Sequence, residues 1–479
     1  MSDPSQQLVR CDPLRLYMEQ TGQMVTDATI FASQAITLEA DAVSQLRDAA
    51  SLPPAKKVLA TADIHVGFGI PIGAVIGMDN AIMPAAVGYD INCGMRLLNT
   101  PFTKGDIDTD KIALSIARDI PLGEGKANVP IDKKLLEAVV YNGVASIPAL
   151  AQKLSHRAFE AFDPDELAED LKRIEDNGRM IGDLGAVPNA AIEKGIGQLG
   201  TLGGGNHFIE IQCVQEILDP VLAQSFGLFQ NQIVVMIHSG SRRFGYEIAD
   251  QYMTVAAKRP DMAGRRKMLS YLPADSKEGK NYIAAMAAAA NFAFVNRHIM
   301  ALLVRRCFNR MFGQTPLNLI YDVPHNMAKL EKYQAGSLWV HRKGATRAFG
   351  PKLMAGTIFE KTGQPIITPG SMGTSSYLLV GTGNAEESLY SVNHGAGRVM
   401  SRTAAAGKGR FGKNSPARIS DEQFKKSMQG IKLIAEDKHR IKEEAPGAYK
   451  DIDEVVRIVT RCGWAKPVAR MVPLAVLKG

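Results

Sequence analysis

The 479-residue sequence predicts a mixed α/β (α+β) fold, built as a single large domain over residues 1–479. Three observations carry that expectation. Short β-branched or alternating runs recur along the chain, two long stretches have helical spacing, and glycine-rich polar segments separate the runs. These segments lie at residues 67–73, 197–205, 240–245, 370–373 and 395–397, each beside a strand-like run and each carrying polar or ligand-type side chains. A site built from loops on a rigid scaffold is written this way in sequence. The candidate site residues reach from Asp63 to Lys478, so a division into independent domains would separate them.

Along the chain, residues 132–177 predict a largely helical stretch, with Leu135, Leu136, Val139 and Val140 at helical intervals among charges. Residues 207–213 alternate, and 233–237 form a β-branched run, so both read as strands. Residues 281–311 predict a second helical stretch, Ala-rich at first and basic later, with Arg297, Arg305, Arg306 and Arg310. Its apolar part, residues 283–294, is followed by Asn296, Arg297 and His298, which reads as a buried or amphipathic helix and not a membrane span. Residues 317–321 and 377–380 complete the predicted strands. No solenoid-type repeat interrupts this order.

Composition excludes several classes. Hydrophobic residues make up 46% and charged residues 22%, which are globular values and not those of a disordered chain. Lys and Arg number 56 against 49 Asp and Glu, a net charge of +7 that is compatible with a nucleic-acid substrate. The five cysteines, Cys11, Cys93, Cys213, Cys307 and Cys462, contain no CxxC pair, so neither a zinc ribbon nor a disulfide framework is indicated. The expectation is a protein with free thiols, in the cytoplasm, with no membrane partner.

The chemistry-bearing residues fall in two groups. Gly88-Tyr-Asp-Ile-Asn-Cys-Gly94 sets Asp90 and Cys93 three apart in a glycine-bracketed turn, where carboxylate and thiolate can bind one metal or bridge two. His207, His238 and His325 each sit at a predicted strand-to-loop junction. One histidine at a strand end is more often structural than ligating. An Asp, a Cys and three His in glycine-flanked loops have no shared structural reason to exist, and together they predict a two-metal site. Thiolate and imidazole suit zinc, whereas carboxylate and phosphate oxygens suit manganese or magnesium, so spacing leaves the metal open.

The second group is Ser391-Val-Asn-His-Gly-Ala-Gly-Arg398, in which His394 precedes a turn able to bring backbone N–H groups and a guanidinium to a phosphate. The glycines of residues 407–414 have Walker-like spacing, but Asn414 stands where Ser or Thr must hold magnesium, so this reads as a mobile basic loop. The Lys-x-Asp-Gly motif of lysine-dependent nucleotidyl ligases is absent from the sequence.

Several runs, in order over nearly the whole chain, resemble the RtcB family of RNA-splicing ligases. They are Ala62-Asp-Ile-His-Val-Gly-Phe-Gly, Val87-Gly-Tyr-Asp-Ile-Asn-Cys-Gly-Met-Arg96, Leu202-Gly-Gly-Gly-Asn-His-Phe-Ile-Glu210, His238-Ser-Gly-Ser-Arg242, His341-Arg-Lys-Gly-Ala-Thr-Arg347, Pro369-Gly-Ser-Met-Gly-Thr374, Asn393-His-Gly-Ala-Gly-Arg398 and Glu444-Ala-Pro-Gly-Ala-Tyr-Lys-Asp-Ile-Asp-Glu454. The resemblance implies the family's own α/β fold. It implies an enzyme that joins RNA ending in a 2′,3′-cyclic phosphate or 3′-phosphate to RNA with a 5′-hydroxyl, using GTP and two manganese ions. Cys93 would bridge the two ions, with His207 completing one and Asp90, His238 and His325 the other. His394 would carry GMP as a phosphoramidate, oriented by Asp63. Asn206, Glu210, Ser371, Ser376, Gly395, Ala396, Gly397, Tyr449 and Lys478 would surround the nucleotide, and Arg242 would contact RNA. RNA is the implied partner, and an archease-type protein is the implied activator. The apolar run of residues 471–477 predicts that the C-terminal segment packs inward and brings Lys478 with it. The competing readings are a two-metal cyclic phosphodiesterase or phosphatase without nucleotidyl transfer, and a non-catalytic RNA-binding subunit.

Overall fold

The computed structural model describes residues 8–333, 336–407, 416–437 and 440–479. The basic loop expected at residues 407–414 therefore lies, apart from Gly407, outside the described residues.

Two sheets organise the molecule. The first runs in the order Leu8–Asp12, Arg15–Met18, Ala28–Phe31, Ala55–His65, Ile72–Met78, Gly336–Lys343, Asn326–Tyr333. The second runs Leu319–Pro324, Gly94–Thr103, Gln232–Ser239, Phe208–Ile217, Ala465–Lys478, Ser376–Gly381, Pro365–Thr368, with Lys432–Ala435 pairing parallel to Ala465–Lys478. The segment of residues 465–478 thus lies inside the second sheet, hydrogen-bonded on both sides. Its Val468, Ala469, Met471, Ala475, Val476 and Leu477 are fully buried, as the inward-packing expectation requires. One hydrophobic cluster extends from Leu14 to Leu477.

The helix Lys277–Phe312 is 36 residues long, about 54 Å at 1.5 Å per residue. By length and composition it could cross a membrane, but its apolar 18-residue stretch is wholly buried in the fold. It is a core helix, packed on the helices Lys133–Asn142 and Arg242–Ala257 and on the strand Gln232–Ser239. The buried polar side chains of such a helix need partners, and most of them find one. Asn291 donates to the carbonyls of Val140 and Met180, and Asn296 accepts from the Gly200 and Thr201 amides. Arg297 donates to the carbonyls of Asn92 and Ser239 and pairs with Asp322, which Arg96 also binds. Helix polarity therefore holds the loops on which the candidate ligands sit.

Three expectations about elements need correction. The helical stretch at 132–177 is broken into the short helices Lys133–Asn142, Ile147–Lys153 and Pro164–Leu171 with single turns between. Gly143 turns the chain at φ +54°, and Pro148 and Pro164 each restart a helix at its first turn. The strand expected at 317–321 is Leu319–Pro324, which extends it toward His325. The strand expected at 207–213 begins at Phe208 and runs to Ile217, so His207 is the last loop residue before it.

Candidate active site

Adjacent strand ends of the second sheet deliver the ligand-type side chains to one place. Cys93 directly precedes Gly94–Thr103, His238 lies near the end of Gln232–Ser239, and His207 precedes Phe208–Ile217. His325 follows Leu319–Pro324, where its amide donates to the Cys93 carbonyl at 2.8 Å. The Cys93 Sγ lies 3.3 Å from His207 Nε2 and 3.2 Å from His238 Nε2, and His238 Nε2 lies 3.3 Å from His325 Nε2. Asp90 Oδ2 lies 2.8 Å from His207 Nε2. Packing is tight here: a Cβ on Gly240 would lie 2.4 Å from Asp90 Oδ2, so glycine is required beside this carboxylate.

These donors form two triads, Asp90–Cys93–His207 and Cys93–His238–His325, within which the ligand atoms lie within 4.8 Å of one another. Cys93 belongs to both, as a bridging role requires. The resemblance placed Asp90 with His238 and His325; here its carboxylate lies against His207 instead. The donor set fits cations. Burial drives His238 and His325 well below the usual imidazole range, so the neutral rings are favoured, and their Nε2 atoms converge. The His207 Nδ1 donates to the Leu202 carbonyl at 3.0 Å, which turns the Nε2 lone pair toward Cys93 and Asp90. Burial, reinforced by Asp90, pushes the Cys93 thiol well up, a cost that a cation between these groups would offset.

His394 stands beside this cluster, its ring centroid 4.9 Å from that of His325. The carboxylate of fully buried Asp63 holds it, accepting from Nδ1 at 2.6 Å and from the backbone amide at 3.1 Å. Thr61 fixes the other Asp63 oxygen at 2.5 Å. Burial alone would raise the Asp63 carboxyl, but the His394 hydrogen bond and the neighbouring imidazoles hold it below its ordinary value. The Nδ1 contact leaves His394 Nε2 facing away from Asp63, and among the described residues Nε2 has no hydrogen-bond partner. Gly397 (φ +71°) is needed opposite, since a Cβ there would lie 2.2 Å from the Asp63 carbonyl.

A cavity of about 630 Å³ joins the two features; Asp90, Cys93, His238, His325 and His394 all line it. Of the residues expected around the nucleotide, Asn206, Gly395, Ala396, Gly397, Tyr449 and Lys478 line it as well. Glu210, Ser371 and Ser376 do not, and all three are buried. Gln212 Nε2 donates to Glu210 Oε2 at 2.6 Å and to Ser376 Oγ at 3.1 Å, while Ser371 meets Thr374 at 3.0 Å. Burial pushes the Glu210 carboxyl up to about 7, against the pull of Lys478.

Arg242, the implied RNA contact, lies at a helix start beside the triads, where Asp90 is among the charges that act on it. It opens the helix Arg242–Ala257 at φ +57°, and its guanidinium bonds Thr201 Oγ1 at 3.3 Å and the Gly123 carbonyl at 3.2 Å. Arg243 pairs at the surface with Glu247.

Sequence reasoning missed the hub at Glu444. Buried beneath the cavity, it accepts from Arg402 Nε at 2.8 Å, Arg398 Nη1 at 3.4 Å and the Tyr449 hydroxyl, with Lys478 Nζ at 3.9 Å. Burial opposes its ionisation, yet Lys478, Arg402 and Arg398 bring the carboxyl down to about 2. The first residue of the Glu444-Ala-Pro-Gly run was the available signal.

A histidine held by a buried carboxylate beside two triads of ligand-type side chains, on a mixed α/β frame, fits a metal-dependent enzyme. The family model described as tRNA-splicing ligase RtcB matches residues 45–479, and the chain belongs to the RtcB family. It is 40% identical to the tRNA-splicing ligase RtcB of Nanoarchaeum equitans, with 96% of each chain covered. It is 39% identical to that of Archaeoglobus fulgidus, with 92% of each covered. It is also 39% identical to the RNA-splicing ligase RtcB of Mycobacterium tuberculosis, over 91% of this chain and all of that one.

Proposed function

We propose that this protein is a GTP- and manganese-dependent RNA ligase. It joins 3′-phosphate or 2′,3′-cyclic-phosphate RNA ends to 5′-hydroxyl ends, in tRNA splicing or RNA repair, through GMP carried on His394. The observation that supports this most is the Asp63–His394 pair opening on the same cavity as both triads. A cyclic phosphodiesterase would use the triads but gives His394 no task.

In this reading Asp63 keeps the proton on Nδ1, and Nε2 attacks the α-phosphorus of GTP. A P–N bond forms and pyrophosphate leaves. An oxygen of the RNA 3′-phosphate then attacks the same phosphorus, the P–N bond breaks, and the RNA end becomes a phosphoanhydride. The 5′-hydroxyl attacks the RNA phosphorus and GMP departs. A cyclic end must first be opened by water. Cations held by Asp90, Cys93, His207, His238 and His325 would supply charge neutralisation at the phosphoryl oxygens. Lys478 and Tyr449 would hold the nucleotide from the cavity wall, and Arg242 the RNA phosphates. RNA is the substrate partner, an archease-type protein the activator, and the cytoplasm the compartment.

The test is incubation with α-labelled GTP and manganese. The label should become protein-bound, acid-labile and alkali-stable, and His394→Ala should abolish it while metal content stays near normal. Covalent GMP in that variant would refute the assignment.

A further inference from the structure

An aromatic series stands at the rim of the cavity. Phe68 lies 5.3 Å from Tyr89, and Tyr89 stacks on Tyr246 at 4.6 Å with ring planes 17° apart. The Arg243 guanidinium caps the far end, 4.6 Å from the Tyr246 centroid. Phe68 and Tyr89 also line the cavity that contains His394 and the triads. Phe68 is 52% exposed, so the series ends in an open aromatic face.

The loop beneath that ring is fixed from several sides. Gln45 bonds Gly67 twice, to its carbonyl at 2.7 Å and from its amide at 3.0 Å. The buried Lys343 ammonium donates to the carbonyls of Phe68 at 2.8 Å and Ile70 at 3.1 Å. Gly69, at φ +80°, packs where a Cβ would lie 2.5 Å from Met268 Cβ. An exposed Phe on a mobile loop needs no explanation. A half-exposed Phe on backbone this firmly held gains little for the core, yet it is preorganised to meet a flat ligand without an ordering cost.

We propose that Phe68, backed by Tyr89 and Tyr246, is a stacking platform for an unpaired base of the RNA strand entering the cavity. This rests on the RNA-ligase reading above. Unpaired bases offer π-faces of any sequence, and aromatic rings beside a guanidinium are suited to them. The cavity connects the platform to the reacting groups, so the stacked base belongs to a nucleotide close to the joined end.

The test uses the manganese-loaded full chain and single-stranded RNA with 2-aminopurine placed near the 3′-phosphate end or, separately, near the 5′-hydroxyl end. Wild type should quench the fluorescence of one of these strands. Phe68→Leu, which keeps bulk but lacks a π-face, and Phe68→Ala should both lose the quenching and bind that strand about tenfold more weakly. Phe68→Trp should restore both. If Phe68→Ala melts early, Phe68→Leu and Phe68→Trp decide. Wild-type quenching and affinity in Phe68→Leu would overturn the platform, as would a loss of affinity confined to GTP alone, which would assign the ring to the guanine. A wild type that ligates while its variants bind RNA equally well refutes the platform only. A wild type that neither binds nor ligates RNA refutes the ligase reading.

Discussion

At the scale of single residues, the tautomer of His394 and the grouping of Asp90 decide what the site can do. Asp63→Asn keeps the shape at His394 but can present an N–H to Nδ1, which would favour the unreactive tautomer. Protein guanylylation should fall roughly 10²–10⁴-fold with metal content unchanged, and single-turnover labelling reads this directly. Asp90 shares a triad with His207, so Asp90→Ala and His207→Ala should empty the same position while His238→Ala empties the other. Cys93→Ala should lower both. Metal analysis under limiting manganese separates these patterns, and an Asp90→Ala protein that matches His238→Ala would reverse the grouping. Glu210 adds a pH dependence. Its folded pKa of about 7 lies above the ordinary 4.5, so its contribution to stability is full below about 4.5 and is lost as pH rises through 7. Glu210→Gln should therefore gain thermal stability relative to wild type at pH 8 compared with pH 4, and parallel melting curves across that range would remove the effect. The identities of Asp90, Cys93, His207, His238, His325 and His394 were legible in sequence because ligand-type residues in glycine-flanked loops are locally conspicuous. The partition of Asp90 was not, because its carboxylate is placed by a contact with His207, 117 residues away in sequence. Glu444 itself opens a visible run, but its role as a hub was not legible: its three cations come from residues 398, 402 and 478, and no local pattern joins them to it.

At the scale of elements, the helix Lys277–Phe312 acts as a spine. Its burial was legible from the Ala-rich run, but the purpose of its polar half was not. Arg297, Asn291 and Asn296 look amphipathic in sequence, whereas in the fold they are internal fasteners. Arg297 fixes the carbonyl beside Cys93 and the carbonyl beside His238 from Nη1 while Nε and Nη2 hold Asp322, a combination that a lysine's single nitrogen cannot repeat. Arg297→Met leaves the buried Asp322 with Arg96 as its remaining partner and should cost about 3–5 kcal/mol of stability. Arg297→Lys should keep more of that stability yet still loosen manganese binding, because one ammonium cannot hold Asp322 and both carbonyls at once. Denaturant melts and metal titration on the two variants measure the two effects, and unchanged manganese affinity in Arg297→Lys would reduce Arg297 to a purely structural role. The broken helices of residues 132–177 teach the converse: apolar spacing was correct locally, and glycine and proline overruled its extent.

At the scale of the molecule, the site draws on both sheets: Asp63 comes from the first, while the triads and Lys478 come from the second. Mixed α/β architecture was legible from the alternation of runs, but the order of the strands was not, since pairing across hundreds of residues leaves no local trace. The strand Ala465–Lys478 shows this most clearly, lying between Phe208–Ile217 and Ser376–Gly381. Deleting residues 477–479 should weaken nucleotide binding at least tenfold, because Lys478 sits under the cavity beside Glu444. Most of that strand's pairing would remain, so the melting temperature should drop only modestly. Equal GTP affinity in the truncated protein, by equilibrium binding, would remove Lys478 from the nucleotide site.

That strand also sets a clock on the protein's birth. A ribosome adds roughly 5–20 residues per second, so some 20–80 s pass between the emergence of Asp90 and that of Lys478. During that interval the growing chain already carries Cys93 and, one by one, its histidines, while the central place in the second sheet stands open. No partial product can present the triads, His394 and Lys478 together. With GMP carried on His394 as proposed above, covalent GMP would mark only molecules whose strand of residues 465–478 has docked, and labelled GTP would count correctly folded chains in a translation reaction.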